Sequence, residues 1–194
     1  DGNPKEMECM EPQEVQRNLE MFSVSYIQEM RRVCREIEVF CTGNSLYVLT
    51  NTENENVLKT LRSYFGGKIF CVFGCGGNRA KSRRIGMGMV SGKMADLTIV
   101  TNDNPRFEDP EAIMDDIEDG LNAAGAEYIR IPDRKKAIRY GIVHAVAGDV
   151  VLLAGKGHET YQDVMGHRTH MDERELIGQI LEEEDAGVIC GRDN

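Results

Sequence analysis

Three short stretches of this sequence carry side chains that could hold a small charged molecule. The first, Gly74-Cys75-Gly76-Gly77-Asn78-Arg79-Ala80-Lys81-Ser82-Arg83-Arg84, sets three glycines before four cations in an otherwise acidic chain. The second is Asp103-Asn104-Pro105-Arg106 and the third Gly155-Lys156-Gly157-His158-Glu159. Arg79 and Arg106 are planar forks that suit carboxylates through paired, charged hydrogen bonds. Glu159 suits an ammonium group. Hydrogen bonds to charged groups contribute about 1.5–3 kcal/mol each, so several would orient a ligand even after binding costs are subtracted. That chemistry describes an amino acid better than a nucleotide, and no GxxxxGK[ST] phosphate cradle occurs anywhere in the chain. Each stretch alone reads as an ordinary polar loop. Together they place complementary charges where one sheet edge could gather them.

The flanking sequence supplies that edge. Leu97-Thr98-Ile99-Val100-Thr101 is an apolar, β-branched run that stops at Asp-Asn-Pro, as a buried strand ending in a turn does. Pro105 fixes one backbone angle and biases Asn104 towards an extended conformation. Asp109 is placed to cap a helix with Pro110 in its first turn, so Arg106 rides on a stiff loop.

The periodicity elsewhere predicts strands at 45–50, 68–73, 97–101, 128–131 and 149–154, and helices at 53–64, 86–94, 110–124, 134–146 and 172–183. Strands alternating with helices imply right-handed crossovers and a mostly parallel sheet covered on both faces. Val150-Val151-Leu152-Leu153-Ala154 lacks polar alternation, as a strand buried on both faces should. The expectation is a doubly wound α/β, Rossmann-like domain over 44–183. Ligands of such sheets bind beyond the carboxyl ends of the strands. Before it, residues 1–11 are polar, and Val15, Leu19, Phe22, Tyr26, Met30, Val33 and Ile37 recur at helical steps. That predicts an added N-terminal amphipathic helix over about 12–40, inside an extension at 1–43, with a tail at 184–194.

Bulk properties narrow the classes. A net charge of −10 argues against a nucleic-acid partner, which needs a basic face. No apolar run approaches a membrane span and no signal-peptide pattern opens the chain, so no membrane association is expected. The chain starts at Asp1 rather than Met, as a fragment or processed chain would. Six cysteines show neither a CxxC pair nor metal-type spacing, which reads as reduced thiols in a cytoplasmic protein.

In this order the loops resemble the C-terminal domain of the Mur ligases, and among these the diaminopimelate-adding MurE branch. The likeness spans about residues 45–182 through Asn56-Val57-Leu58-Lys59-Thr60-Leu61, Val72-Phe73-Gly74-Cys75-Gly76-Gly77, Thr101 to Arg106, Asp133 to Tyr140, Gly148 to Glu159 and Asp172-Glu173-Arg174-Glu175. The resemblance implies that Arg79, Asp103, Asn104, Pro105, Arg106, Gly155 and Glu159 form a site for meso-diaminopimelate, supported by Lys81, Arg84, Lys156 and His158. It implies an ATP-dependent amide-forming ligase of peptidoglycan precursor synthesis, acting on UDP-N-acetylmuramoyl-L-alanyl-D-glutamate. ATP and magnesium would then be held by a central domain that this sequence does not show, and no cofactor, metal or catalytic residue is expected on this chain alone.

Several positions depart from the family. Its Asp-Tyr-Ala-His-Thr-Pro-Asp segment stands here as Leu46-Tyr47-Val48-Leu49-Thr50-Asn51-Thr52, without the Asp, His and Pro that help hold the nucleotide. Its Gly-Gly-Asp-Arg-Asp loop reads Gly76-Gly77-Asn78-Arg79-Ala80, with both acids lost, and Ile85 replaces a proline. The alternative reading is therefore a degenerate, non-catalytic module for amino-acid binding or for assembly, self-associating through the N-terminal helix. His167 and His170 read as residues of a solvated loop rather than metal ligands. His144 reads as a half-buried, satisfied side chain and Cys75 as a packed thiol without a His partner.

Overall fold

The computed structural model describes residues 37–42, 45–50, 54–146, 148–157 and 159–185. Along the chain run β1 (Ile37–Thr42), β2 (Ser45–Thr50), α1 (Asn54–Tyr64), β3 (Ile69–Phe73), α2 (Lys81–Met94), β4 (Leu97–Val100) and α3 (Pro110–Ala124). Then follow β5 (Tyr128–Arg130), α4 (Arg134–His144), β6 (Val150–Ala154), β7 (Tyr161–Val164), β8 (His167–His170) and α5 (Glu173–Asp185). Six strands form one sheet in the order β1-β2-β6-β3-β4-β5, and β7 pairs with β8 as a separate antiparallel hairpin. From β2 to β5 every pairing is parallel; only β1 runs antiparallel, against β2. The doubly wound, mostly parallel sheet is thus present.

Strict alternation along the central strands builds two cores. Ile69, Cys71 and Phe73 of β3, with Val150, Leu152 and Ala154 of β6, pack against Val57, Leu58 and Leu61 of α1 and Ile113, Met114 and Ile117 of α3. The intervening Phe70, Val72, Val151 and Leu153 face Ala137, Ile138 and Ile142 of α4 and Ile177 and Ile180 of α5. A side-chain period of two, apolar at every step, requires apolar cover on both faces.

Helix ends follow local chemistry. The Asp109 side chain accepts from Glu111 N at 3.0 Å with Pro110 in the first turn, and Asp133 accepts from the backbone of Lys135 and Lys136 at 2.9 and 3.1 Å. By contrast α2 begins at Lys81, five residues before the expected helix, with Ala80 at a cap position that makes no side-chain bond. Its basic first turn has no capping signal, which is why those cations read as loop.

Two further expectations are corrected. The predicted helix over 12–40 does not reach its end, because residues 37–42 are β1, paired residue for residue with β2 from Ile37 opposite Thr50 to Thr42 opposite Ser45. The rest of that helix, its proposed self-association and the tail beyond Asp185 lie outside the described residues. The β7–β8 hairpin replaces a stretch without assigned structure, and His167 and His170 are exposed residues of β8, with His170 Nε2 2.7 Å from Glu175. His144 is exposed rather than half-buried, its ring stacked at 3.8 Å on Tyr140.

Candidate functional site

The neighbouring strands β3 and β6 send their chains to opposite faces, β3 into α2 and β6 through the hairpin into α5. Beyond their carboxyl ends lies the crevice that such a switch of direction creates. The loops after β3, β4 and β6 all border it.

Close backbone approach joins the first two loops. Gly77 N donates to Asn104 O at 2.9 Å, and a Cβ on Gly77 would lie 2.0 Å from Pro105 O. No side chain fits there. Arg106 donates from its guanidinium to Gly77 O at 3.1 Å, closing the same junction. Arg106 has a φ of 54°, left-handed backbone that costs a non-glycine residue about 1–2 kcal/mol.

The hairpin holds Arg106 in that conformation. Arg106 N donates to Asp163 O at 3.1 Å, Met165 N donates to Arg106 O at 2.6 Å, and Arg106 forms a parallel bridge with Val164. Gln162 Nε2 reaches Asp103 O at 2.7 Å. Two bonds to the hairpin, one from its N–H and one to its carbonyl, clamp Arg106 in the left-handed turn.

The third loop enters through Lys156. Gly155 takes a φ of 115°, which favours glycine. Lys156 is completely buried, and its ammonium donates to Asn104 Oδ1 at 3.0 Å and to Tyr161 O at 2.6 Å. Asp103 Oδ1 lies 3.3 Å and Glu159 Oε2 4.0 Å from it. Burial pushes the Lys156 ammonium below the usual lysine range, while the Asp103 carboxylate opposes that shift. Glu159 remains partly exposed, at 35% of its side-chain surface, and accepts from Asn104 Nδ2 at 2.8 Å.

Asn104 is therefore the junction of all three loops and the hairpin. Its carbonyl O takes the β3 loop, its Oδ1 takes Lys156 and Asp163 N, and its Nδ2 takes Glu159. Asp103, Asn104 and Pro105 are buried and Arg106 is half-buried. Arg79 is exposed two residues beyond Gly77 and has no ion pair among the described residues, so its guanidinium is available. His158 lies outside the described residues.

Lys81 and Arg84, expected to support the anion side of the rim, turn onto α3 instead. Arg84, only 4% exposed, bonds Glu108 at 2.8 Å and Asp116 at 3.1 Å, while Lys81 pairs with Asp116 at 2.5 Å. They follow helical spacing because α2 starts at Lys81. Glu108 also accepts from Asn78 N, which ties the loop carrying Arg79 to this network. Cys75 is a packed thiol 3.7 Å from Met87 Sδ, pushed up to about 12 chiefly by burial.

Sequence reasoning missed Gln162, Asp163 and Glu108. Asp163 contributes mainly backbone groups, which no residue type announces. A turn at Met165-Gly166 between two short polar runs was the available signal for the hairpin. Among the described residues no group of three or more His, Cys, Asp or Glu side chains could hold a metal ion, and no helix is long and apolar enough to cross a membrane.

Comparison with known proteins places these loops in context. Residues 47–157 match the family model described as Mur ligase, glutamate ligase domain. A UDP-N-acetylmuramoyl-L-alanyl-D-glutamate–2,6-diaminopimelate ligase of Caldanaerobacter subterraneus subsp. tengcongensis is 44% identical over 147 residues, covering 73% of this chain and 30% of that protein. One from Trichormus variabilis is 47% identical over 137 residues, covering 71% of this chain and 27% of that protein. A solved structure of a ligase with the same name superposes with a TM-score of 0.72 at 35% identity, covering 77% of this chain and 32% of that one. A murein peptide ligase from Psychrobacter arcticus, at 13% identity and a TM-score of 0.51, shares the fold. The chain spans about 30% of the length of the first of these relatives.

Proposed function

The chain belongs to the Mur ligase family as its glutamate ligase domain, and we propose that it is the amino-acid-binding part of a peptidoglycan-precursor ligase of the MurE type. Its ligand in this reading is meso-diaminopimelate, presented for amide formation with the glutamate carboxylate of UDP-N-acetylmuramoyl-L-alanyl-D-glutamate. The curated relatives carry that reaction in their names.

The observation that supports it best is the single junction at Asn104. Through it, Arg106 and Glu159, from loops 53 residues apart in the sequence, are fixed on one rim of the sheet. Arg106 and the exposed Arg79 take carboxylates, Glu159 takes an ammonium group, and Gly155 lets the backbone come close. Arg106 spends one N–H on Gly77 O and keeps the rest of its fork for a ligand carboxylate. Lysine has the two amines of diaminopimelate at the same spacing but lacks the distal carboxylate. Bound lysine would leave a half-buried guanidinium unpaired, a penalty that discriminates strongly.

ATP and magnesium supply the activation of the glutamate carboxylate in such a ligase. In this reading both are held by other parts of the parent enzyme, and the sequence carries no GxxxxGK[ST] cradle. What this chain contributes is selection and aim: it holds the amino acid by its charges so that a free amine faces the incoming acyl group.

Isothermal titration of the chain with meso-diaminopimelate and with L-lysine tests the reading. Heat with the first and little or none with the second is expected. Equal heats, or none with either in a folded sample, would sink it.

A further inference from the structure

We infer that Lys156 is a positioning residue that sets the orientation of the Asn104 amide and through it the recognition of ligand amines by Glu159. This rests on the reading of the rim given above and adds to it a buried residue that is turned away from solvent.

A primary amide presents a donor and an acceptor of nearly the same shape, and a half-turn exchanges them. At Asn104 the neighbours decide which faces where. Lys156 Nζ at 3.0 Å and Asp163 N at 2.9 Å are donors, so Oδ1 must face them. Nδ2 is then aimed at Glu159 Oε2, 2.8 Å away. In the opposite orientation Oδ1 would meet a carboxylate oxygen at that distance, two acceptors with no proton between them.

Lys156 is suited to this task. It has no exposed surface and its ammonium is tethered by Tyr161 O at 2.6 Å and by Asp103 at 3.3 Å, so it cannot swing out to solvent. The consequence for Glu159 is specific. One carboxylate oxygen is committed to Asn104 Nδ2, which holds the carboxylate in place, and the other oxygen is left for an ammonium. Arg106 is held by Gly77 and by Asp163 and Met165 of the hairpin. Among the described residues no bond joins it to Lys156, which reaches the hairpin only through Tyr161. Recognition of carboxylates should therefore depend on the lysine far less than recognition of amines does.

Two analogues separate these roles. Pimelate keeps the seven-carbon chain and both carboxylates of diaminopimelate and lacks both amines; lysine keeps the amines and lacks one carboxylate. Titrations of the full chain and of Lys156→Met with all three ligands read each preference by itself. In the variant, the preference for diaminopimelate over pimelate is expected to fall about tenfold or more, the worth of one charged hydrogen bond. The preference over lysine is expected to stay within about twofold. Should Lys156→Met fail to fold, Asp103→Asn/Lys156→Met removes both charges of the buried pair and carries the same measurement. An unchanged preference over pimelate overturns the inference, and so does an equal loss of both preferences, which would make Lys156 a general fold residue. A wild-type chain with no preference for diaminopimelate removes the reading of the rim as well, so the two failures are distinguishable.

Discussion

Asn104 Nδ2 and Glu159 Oε2 are 2.8 Å apart, although 55 residues separate them in sequence. The bond anchors Glu159 at one oxygen, while 35% of its side chain stays exposed. Glu159→Gln keeps an oxygen for Asn104 and removes only the charge. Affinity for diaminopimelate should drop about tenfold or more with the melting temperature nearly unchanged, since the residue lies at the surface. Titration beside a thermal melt measures both, and full affinity in the variant would remove Glu159 from the site.

Arg106 separates binding from backbone strain in one position. With φ at 54°, Arg106→Ala keeps the strained turn and Arg106→Gly relieves it. Both should lose discrimination against lysine, yet the glycine variant should be the more stable by about 0.5–1 kcal/mol. Chemical denaturation of the two proteins gives the difference. A glycine variant less stable than the alanine one would show that the hairpin bonds do not impose the turn.

Gly77→Ala strikes the junction between two loops without touching a charge. Its Cβ would press on Pro105 O, with backbone on both sides and no side chain to yield. Overpacking of that kind costs about 1–3 kcal/mol. Diaminopimelate binding should weaken with it, because Arg106 and Asn104 move when the loops part. A variant with unchanged stability and binding would mean that the contact is easily relaxed.

Most of the fold was legible because alternation along Ile69–Phe73 and Val150–Ala154 and the capping residues Asp109 and Asp133 are local signals. The rim was legible as residue types but not as partners. Arg84 and Lys81 looked like ligand cations since nothing in sequence marks Ala80 as a helix start, and once α2 begins at Lys81 its first turn faces Glu108, Asp116 and Asp119 across to α3. Lys156 sat inside a Gly-Lys-Gly turn, a place where lysine is ordinarily solvated. The loop after β4 and the hairpin enclose that ammonium between them, and the hairpin was invisible to apolar periodicity because its strands are polar. Ile37 closed a helical stripe expected to run to about residue 40, and pairing of 37–42 with β2 overrode it.

Asp116 should make the domain sensitive to acid in a predictable window. Burial works to raise its pKa, but hydrogen bonds and charge from Lys81 and Arg84 win and hold it below its ordinary 3.8. A carboxyl depressed in the folded state contributes stability that is fully present above its unfolded value. That contribution is lost as pH falls from about 3.8 towards the lowered folded value. Asp116→Asn should therefore be less stable at neutral pH, and its melting temperature should fall less than that of the wild type between pH 5 and pH 3. Parallel curves for the two proteins would show that the carboxylate gains nothing from its cations.

Arg134 and Glu173 form the most deeply buried ion pair described, 2.6 Å apart with 1% and 0% of their side chains exposed. The remaining donors of Arg134 reach Ala154 O at 3.1 Å and Asn102 O at 3.4 Å. One guanidinium thus ties the end of β6, the loop after β4 and the start of α5, directly beneath the rim. Removing one partner strands the other charge in the interior, which costs about 3–5 kcal/mol, so Glu173→Leu should be severely destabilised. Arg134→Met/Glu173→Leu removes both charges and leaves only two carbonyls to be satisfied. The double variant should consequently be more stable than the sum of the single losses predicts, by a coupling of about 2 kcal/mol or more. Additive losses in the denaturation cycle would mean that Arg134 stabilises the domain through the two carbonyls and hardly at all through Glu173.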